Sequence, residues 1–343
     1  MAAEEINDDK FGRRPFSEVL KKGYTYIDKR RQGIIQSLRT PWASFNEAGV
    51  DGLEWGSMLT LGARPGAGKT MIVSQILREA RVINPKQAFN ILEFQFEMGD
   101  EQYAARQFAG HMAMDYGEML STKKELDGFV LKQLKDYIAD CEAMEKVGLK
   151  RELISKSITS TEMEKAILDA YVEWGAKPMI VTIDHSWLIK KRNDEKEKLQ
   201  TLYNTTEMIM QLKNKIPIIV LMITQLNRSI DESSRKEPGK IGNYPTSADI
   251  FGGDALMQGS DMIGVLNRPF KANIPFYGPK QYVCGPEDVF MHLIKIRNGS
   301  DSDENIIFLK MDGRRQRMAE VGPPPSKKGS GGLQLPSQQP NII

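Results

Sequence analysis

The nine residues Gly62 to Thr70, GARPGAGKT, follow the apolar run SMLTL (57–61) and precede a helix-like segment. A Gly-rich loop between a strand and a helix is where a phosphate-binding loop must stand. Its small residues let successive backbone N–H groups turn inward around the β- and γ-phosphates, so Ala63, Arg64, Pro65, Gly66, Ala67 and Gly68 form the expected cradle. Lys69 reaches the same oxygens, the Thr70 hydroxyl can ligate Mg²⁺, and the helix starting near Lys69 adds the positive end of its dipole. The strict spacing GxxxxGK[ST] puts glycine at position 63, where this sequence has Ala63. A chance Gly-rich turn would give no reason for the strand before it and the helix after it. ATP and Mg²⁺ are the expected ligands.

Apolar, β-rich runs recur outward from the loop: 57–63, 89–97 (FNILEFQFE), 178–184 (PMIVTID), 217–225 (PIIVLMITQ) and 261–266 (DMIGVL). Helix-length segments separate them, the βαβ alternation of an α/β fold with a mostly parallel twisted sheet and helices on both faces. Runs 289–297 (VFMHLIKIR) and 305–311 (NIIFLKM) flank Asn298 to Glu304, whose Gly, Ser and Asp residues suit a turn. A C-terminal β-hairpin closing the sheet edge is expected there. Residues 120–165, rich in Lys and Glu, read as helical with a solvated face. Phe16, Val19, Leu20, Tyr24 and Ile27 are spaced for one amphipathic helix in the otherwise polar start of the chain. From Gly322 the Pro, Gly and Ser content is that of a disordered tail. The expected organisation is a linker segment over 1–40, one ATPase domain over 41–321 and a tail over 322–343.

Composition narrows the setting. With 343 residues and 40% hydrophobic content, the chain can bury a sizeable core. Lys plus Arg number 47 against 45 for Asp plus Glu, a net charge of +2, so any basic surface for nucleic acid must be local. Cys141 and Cys284 are too few for a disulfide framework or a cysteine-based metal site. The N-terminus, MAAEEINDDK, lacks an apolar signal core, and no run is long enough to span a bilayer. A cytoplasmic protein without membrane contact is expected.

Further candidates lie at strand ends, where an open α/β sheet puts its chemistry. Asp184 ends IVTID beside the loop and is the expected carboxylate holding Mg²⁺. Glu97 ends FNILEFQFE and can polarise the attacking water, since catalysis of this kind needs mainly positioning and placed charge. Gln225 ends PIIVLMITQ and can feel the γ-phosphate through its amide. Lys295 and Arg297 flank Ile296 in the late strand, so alternation puts both cations on one face. Two like charges side by side need an anion, and a triphosphate bound by a neighbouring subunit would supply it in trans. A charged edge strand that resists aggregation is the alternative reading of the pair.

The order GARPGAGKT, LEFQFEMGDEQYAAR, IVTIDHSWLI, VLMITQLNR, HLIKIRNG resembles the RecA-like motor domain of DnaB-type hexameric replicative helicases of superfamily 4, over about residues 40–316. By that resemblance Lys69 and Thr70 bind phosphate and Mg²⁺, Glu97 is the catalytic glutamate, Asp184 the Walker B carboxylate and Gln225 the γ-phosphate sensor. Lys295 and Arg297 match the paired basic residues that reach the adjacent subunit's ATP. The resemblance implies a homo-oligomeric, hexameric ring on single-stranded and forked DNA, travelling 5′ to 3′, with a primase or helicase loader as partner.

The departures carry information too. The family's N-terminal helical domain has no counterpart here, so a motor with only a linker helix is expected. Asp184-His185 resembles the Asp-His of bacteriophage primase-helicases, implying a phage or mobile-element origin. In the segment SADIFGGDALMQGSD, Phe251 stands where the family's channel loop carries an arginine. Gly252 and Gly253 are expected to keep that backbone accessible, while Arg228, Arg235, Lys236 and Lys240, in a stretch read as a mobile loop (227–243), are expected to supply charge to DNA. Two other functions share the motifs: a RecA- or RadA-type recombinase, and a regulatory or loader ATPase that binds a helicase.

Overall fold

The protein was analysed as a computed structural model that describes residues 13–237, 241–299 and 305–327. It divides into two compact units, 1–37 and 38–343. The first contains helix α1 (Phe16–Arg31). Phe16, Val19, Leu20, Tyr24 and Ile27 are exposed on it, and no residue of the helix is buried.

The second unit runs α2 (Ala43–Ala48), β1 (Ser57–Ala63), α3 (Lys69–Ile83), β2 (Asn90–Gln95), α4 (Asp100–Met112), α5 (Tyr116–Leu120), α6 (Gly128–Lys146), β3 (Arg151–Ile154) and α7 (Ser160–Glu173). It continues with β4 (Met179–Asp184), α8 (Lys198–Lys215), β5 (Ile218–Gln225), α9 (Gly253–Gly259) and β6 (Met262–Asn267). The last elements are β7 (Phe276–Tyr277), β8 (Tyr282–Val283), β9 (Asp288–Ile296), β10 (Ile306–Asp312) and β11 (Arg317–Glu320). Among the described residues nine strands form one sheet in the order β11-β10-β9-β6-β1-β5-β4-β2-β3. The six from β6 to β3 are parallel, and β9, β10 and β11 run antiparallel at one end.

Continuous apolar runs become strands buried on both faces, as parallel sheets require. In β5, Ile219, Leu221 and Ile223 face a core shared with Ile72, Ile76 and Leu77 of α3, while Ile218, Val220 and Met222 face one shared with α7, α8 and α9. Period-two alternation divides one apolar run between two helical layers. Among the described residues no helix is long and apolar enough to cross a membrane.

The differences from expectation lie in polar segments. The Lys/Glu-rich stretch 120–165 is not all helix: β3 pairs in parallel with β2 at the sheet edge. Its Arg151 reaches the buried Glu93 of β2 at 2.7 Å, which explains how a charged tetrapeptide holds an edge. The expected β9–β10 hairpin forms but does not close the sheet, because β11 adds beyond it; 300–304 of its turn lie outside the described residues. The tail expected from 322 is paired at first, with Val283 N–H donating to Pro325 O at 2.8 Å and Lys327 N–H to Gln281 O at 3.2 Å. Residues 328–343 lie outside the described residues. The stretch 227–243 is pinned by short helical turns and by an Arg235–Asp249 ion pair rather than left free, with 238–240, including Lys240, outside the described residues.

Candidate functional site

The loop leaves β1 at Ala63 and enters α3 at Lys69. Gly66 (φ +73°) and Gly68 (φ +96°) take left-handed backbone conformations, which glycine adopts without steric cost. A Cβ on Gly68 would lie 2.1 Å from Met318 Cε, so the cradle and the β10–β11 hairpin are in close contact. Lys69 Nζ donates to Ala63 O at 2.9 Å, curling across the loop it is expected to serve. Burial holds the Lys69 amine below its usual range, against the opposing pull of Asp184 and Glu97.

Sheet order brings the other strand ends to this loop. Thr70 Oγ1 donates to Asp184 Oδ2 at 2.7 Å, and Gln95 Nε2 donates to the same oxygen at 3.3 Å. Gln95 faces Asp184 in the β2–β4 register, and its Oε1 accepts from Glu97 N–H at 3.1 Å. Glu97 is exposed two residues past β2 and lies within electrostatic reach of Lys69, Asp184 and His185. Gln225 pairs with Ala63 in the β1–β5 register, beside the start of the loop.

Asp184 itself is 4% exposed, and its Oδ1 is buried without a hydrogen-bond partner. An orphaned carboxylate oxygen carries a desolvation cost unless something binds it. Burial pushes the Asp184 carboxyl above its usual range, against the hydrogen bonds from Thr70 and Gln95. Among the described residues no cluster of three or more His, Cys, Asp and Glu side chains could hold a metal ion. The donor set of one hydroxyl and one carboxylate suits Mg²⁺, which takes few protein ligands and completes its shell with water and substrate phosphate.

Lys295 and Arg297 gather elsewhere. Arg297 Nη1 meets Asp261 Oδ1 at 2.8 Å and Nη2 donates to Gln258 O at 3.3 Å, while Lys295 Nζ donates to Met257 O. Asp261 of the same chain is therefore the anion that faces Arg297, and it also binds Lys213 and Met58 N–H. Met58 opens β1 and the phosphate loop follows its far end, so the basic pair lies about 20 Å away at ~3.3 Å per residue. It cannot touch the loop of its own subunit.

The candidate DNA residues separate. Arg228 is exposed, and Phe251 N–H donates to Gln225 O at 3.1 Å, with the Phe251 ring edge-on to Trp187 at 4.4 Å. Gly252 and Gly253 do not leave an open backbone: added Cβ atoms would lie 2.1 Å from Leu202 Cδ2 and 2.8 Å from Ser247 O. These glycines permit close packing. Arg235 is engaged with Asp249 and is not a spare cation.

Several site residues escaped the sequence reading. Gln95 was hidden inside an apolar strand. Arg268 Nη1 donates to Gly66 O at 2.9 Å and Lys271 Nζ to Pro65 O at 3.3 Å, so two cations clasp the loop from just beyond β6. Arg64 is held by Asp231 at 2.6 Å. The available signal was position, since Arg268 follows the end of a strand adjacent to β1.

With this geometry in hand, comparison with known proteins is informative. Replicative DNA helicase DnaB of Buchnera aphidicola subsp. Schizaphis graminum is 20% identical over 290 residues, covering 80% of this chain and 57% of that protein. Its counterpart in Helicobacter pylori strain J99 is 22% identical over 262 residues, 76% of this chain and 50% of that one. The chain spans about half the length of the curated relatives it matches. Among solved structures, an isolated ATPase domain matches over 90% of this chain and 100% of its own, at a TM-score of 0.73 and 14% identity. A DnaB-like replicative helicase, described with its interactions with primase, gives 0.70 at 14% identity, covering 90% of this chain and 68% of that one. These two likenesses carry the fold, a RecA-like core with helices on both faces of a mostly parallel sheet. Residues 21–314 match the family model described as DnaB-like helicase C terminal domain, and the chain belongs to that family.

Proposed function

We propose that this chain is the ATP-driven motor of a replicative DNA helicase, acting as a hexameric ring that moves 5′ to 3′ on single-stranded DNA and unwinds the duplex at a fork. The observation that carries this reading is the buried, partnerless Asp184 Oδ1, whose sister oxygen is bound by the Thr70 hydroxyl of the phosphate loop. When ATP and Mg²⁺ are bound, the ion screens phosphate charge. Residues 63–70 cradle the phosphates, with the Lys69 amine on their outer oxygens. Thr70 and Asp184 hold the ion, Glu97 orients and polarises the attacking water, and Gln225 senses the γ-phosphate and passes its loss to the loop through Phe251 N–H. Lys295 and Arg297, too far from their own loop, serve the nucleotide of the adjacent subunit, which makes assembly a condition of turnover. Arg228 and the 251–253 segment contact DNA, and primase or a loader is the partner class.

Strand displacement on a forked duplex with a 5′ single-stranded tail, with ATP and Mg²⁺, tests the reading beside a Lys69→Ala control. ATP-dependent displacement is expected from the wild type. The control is expected to lose ATP turnover by about 10²-fold or more, as loss of a transition-state donor does. Hydrolysis without displacement would sink the helicase reading, and normal turnover by Lys69→Ala would sink the loop assignment.

A further inference from the structure

Trp187 and Phe251 come from segments 64 positions apart in the sequence, yet their ring centroids lie 4.4 Å apart at 82°. Trp187 follows Asp184 by three residues, and Phe251 hangs from Gln225 O by its N–H. The two rings therefore stand at the ends of β4 and β5, the strands that carry the candidate Mg²⁺ ligand and the candidate γ-phosphate sensor. Trp187 is 42% exposed, a large apolar surface left to water beside a catalytic cleft. Because the contact is edge-on, the ring that offers its edge keeps both faces clear of its partner.

The surroundings are cationic. Lys198 Nζ lies 5.9 Å from the Trp187 ring centroid, and Lys190 and Lys191 are exposed on the same connection between β4 and α8. An exposed aromatic face flanked by lysines suits a polymer that offers flat bases and phosphates together. Stacking of bases on aromatic side chains is tolerant of sequence, while nearby cations follow the backbone. An apolar protein surface would have no use for the lysines.

We propose that Trp187 and Phe251 form an aromatic step on which unpaired bases of single-stranded DNA stack, with Lys198, Lys190 and Lys191 on the phosphates. This rests on the helicase reading and adds a contact to bases, which backbone gripping alone does not supply. The step is one hydrogen bond from Gln225 and three residues from Asp184, so base grip and nucleotide state share two strand ends.

The test measures binding of the full chain, with Mg²⁺ and a non-hydrolysable ATP analogue, to an oligothymidylate and to an abasic oligonucleotide of equal length and charge. Wild type is expected to bind the thymidylate about ten-fold or more tightly than the abasic strand. Trp187→Ala and Phe251→Ala are expected to bring thymidylate affinity down to the abasic value, with abasic affinity and its salt dependence unchanged. Trp187→Phe, which keeps a ring and guards against misfolding, is expected to retain most of the preference. Equal binding of both strands by the wild type, or equal losses on both strands in the variants, overturns the step and leaves the helicase reading intact. Failure of the wild type to bind either strand overturns both. Sedimentation of the variants supplies the remaining arm: if Trp187→Ala breaks the assembly, the rings are a subunit contact and the proposal is wrong.

Discussion

Asp261 illustrates how single residues divide their work. It takes Arg297, Lys213 and Met58 N–H at once, so removing Arg297 leaves the carboxylate two partners and costs the fold little. Arg297→Ala is expected to leave nucleotide binding intact and to lower hydrolysis by about 10³-fold, the lower range for an arginine supplied in trans. Mixing that variant with Lys69→Ala subunits should restore turnover, because one contributes an intact loop and the other an intact finger. ATPase assays on the mixture decide, and no recovery in mixed assemblies would rule out a trans role. His292 sets a different residue-level property. Burial pushes its pKa from 6.5 to about 3, with Nε2 at 2.8 Å from the Tyr277 hydroxyl. Between those values the unfolded ring binds a proton that the folded ring refuses, so stability is lost as pH falls below about 6.5. Relative to His292→Gln, the wild type should lose ~2 kcal/mol between about pH 7 and pH 5 in urea unfolding. Parallel pH profiles for the two proteins would contradict this.

At the scale of elements, the sheet edge depends on one ion pair. Glu93 is buried in β2 and takes Arg151 of β3 and the Tyr103 hydroxyl of α4. Arg151→Met strands a buried carboxylate and is expected to destabilise the domain by about 3 kcal/mol or more. Adding Glu93→Gln should recover part of that loss, and a double-mutant cycle in denaturant unfolding measures the coupling. An additive cycle would mean that the pair does not anchor β3. This strand was illegible in the sequence because four half-exposed residues inside a charged stretch carry no apolar period. The β1, β4 and β5 runs were legible because burial on both faces forces continuous apolar sequence.

For the whole molecule, the question is assembly. The unit 1–37 carries a helix with five exposed apolar side chains, and 38–343 forms its own compact unit. Exposed apolar stripes of this kind are covered by a partner in stable assemblies. A chain beginning at Leu38 is expected to fold, with an unchanged melting temperature within a few degrees, and to sediment as a smaller species than the full chain. Equal sedimentation of the two would remove the linker segment from the proposed ring.

By itself the sequence determined what contiguous residues can encode. The phosphate loop is nine residues in a row, and glycine, lysine and threonine define its chemistry without any neighbour. The βαβ order is written in apolar runs and the helices between them. Strand order, by contrast, has no period in the sequence, because it is fixed by which faces pack when the chain closes on itself. Only that closure brought Asp184 to Thr70 and Gln95, laid Arg268 and Lys271 on the loop, and set Trp187 against Phe251. It also put Lys295 and Arg297 at the opposite end of β1 from the loop, where a motif list cannot tell cis from trans. Contacts between residues far apart in the chain depend on tertiary packing, and the site is made of such contacts.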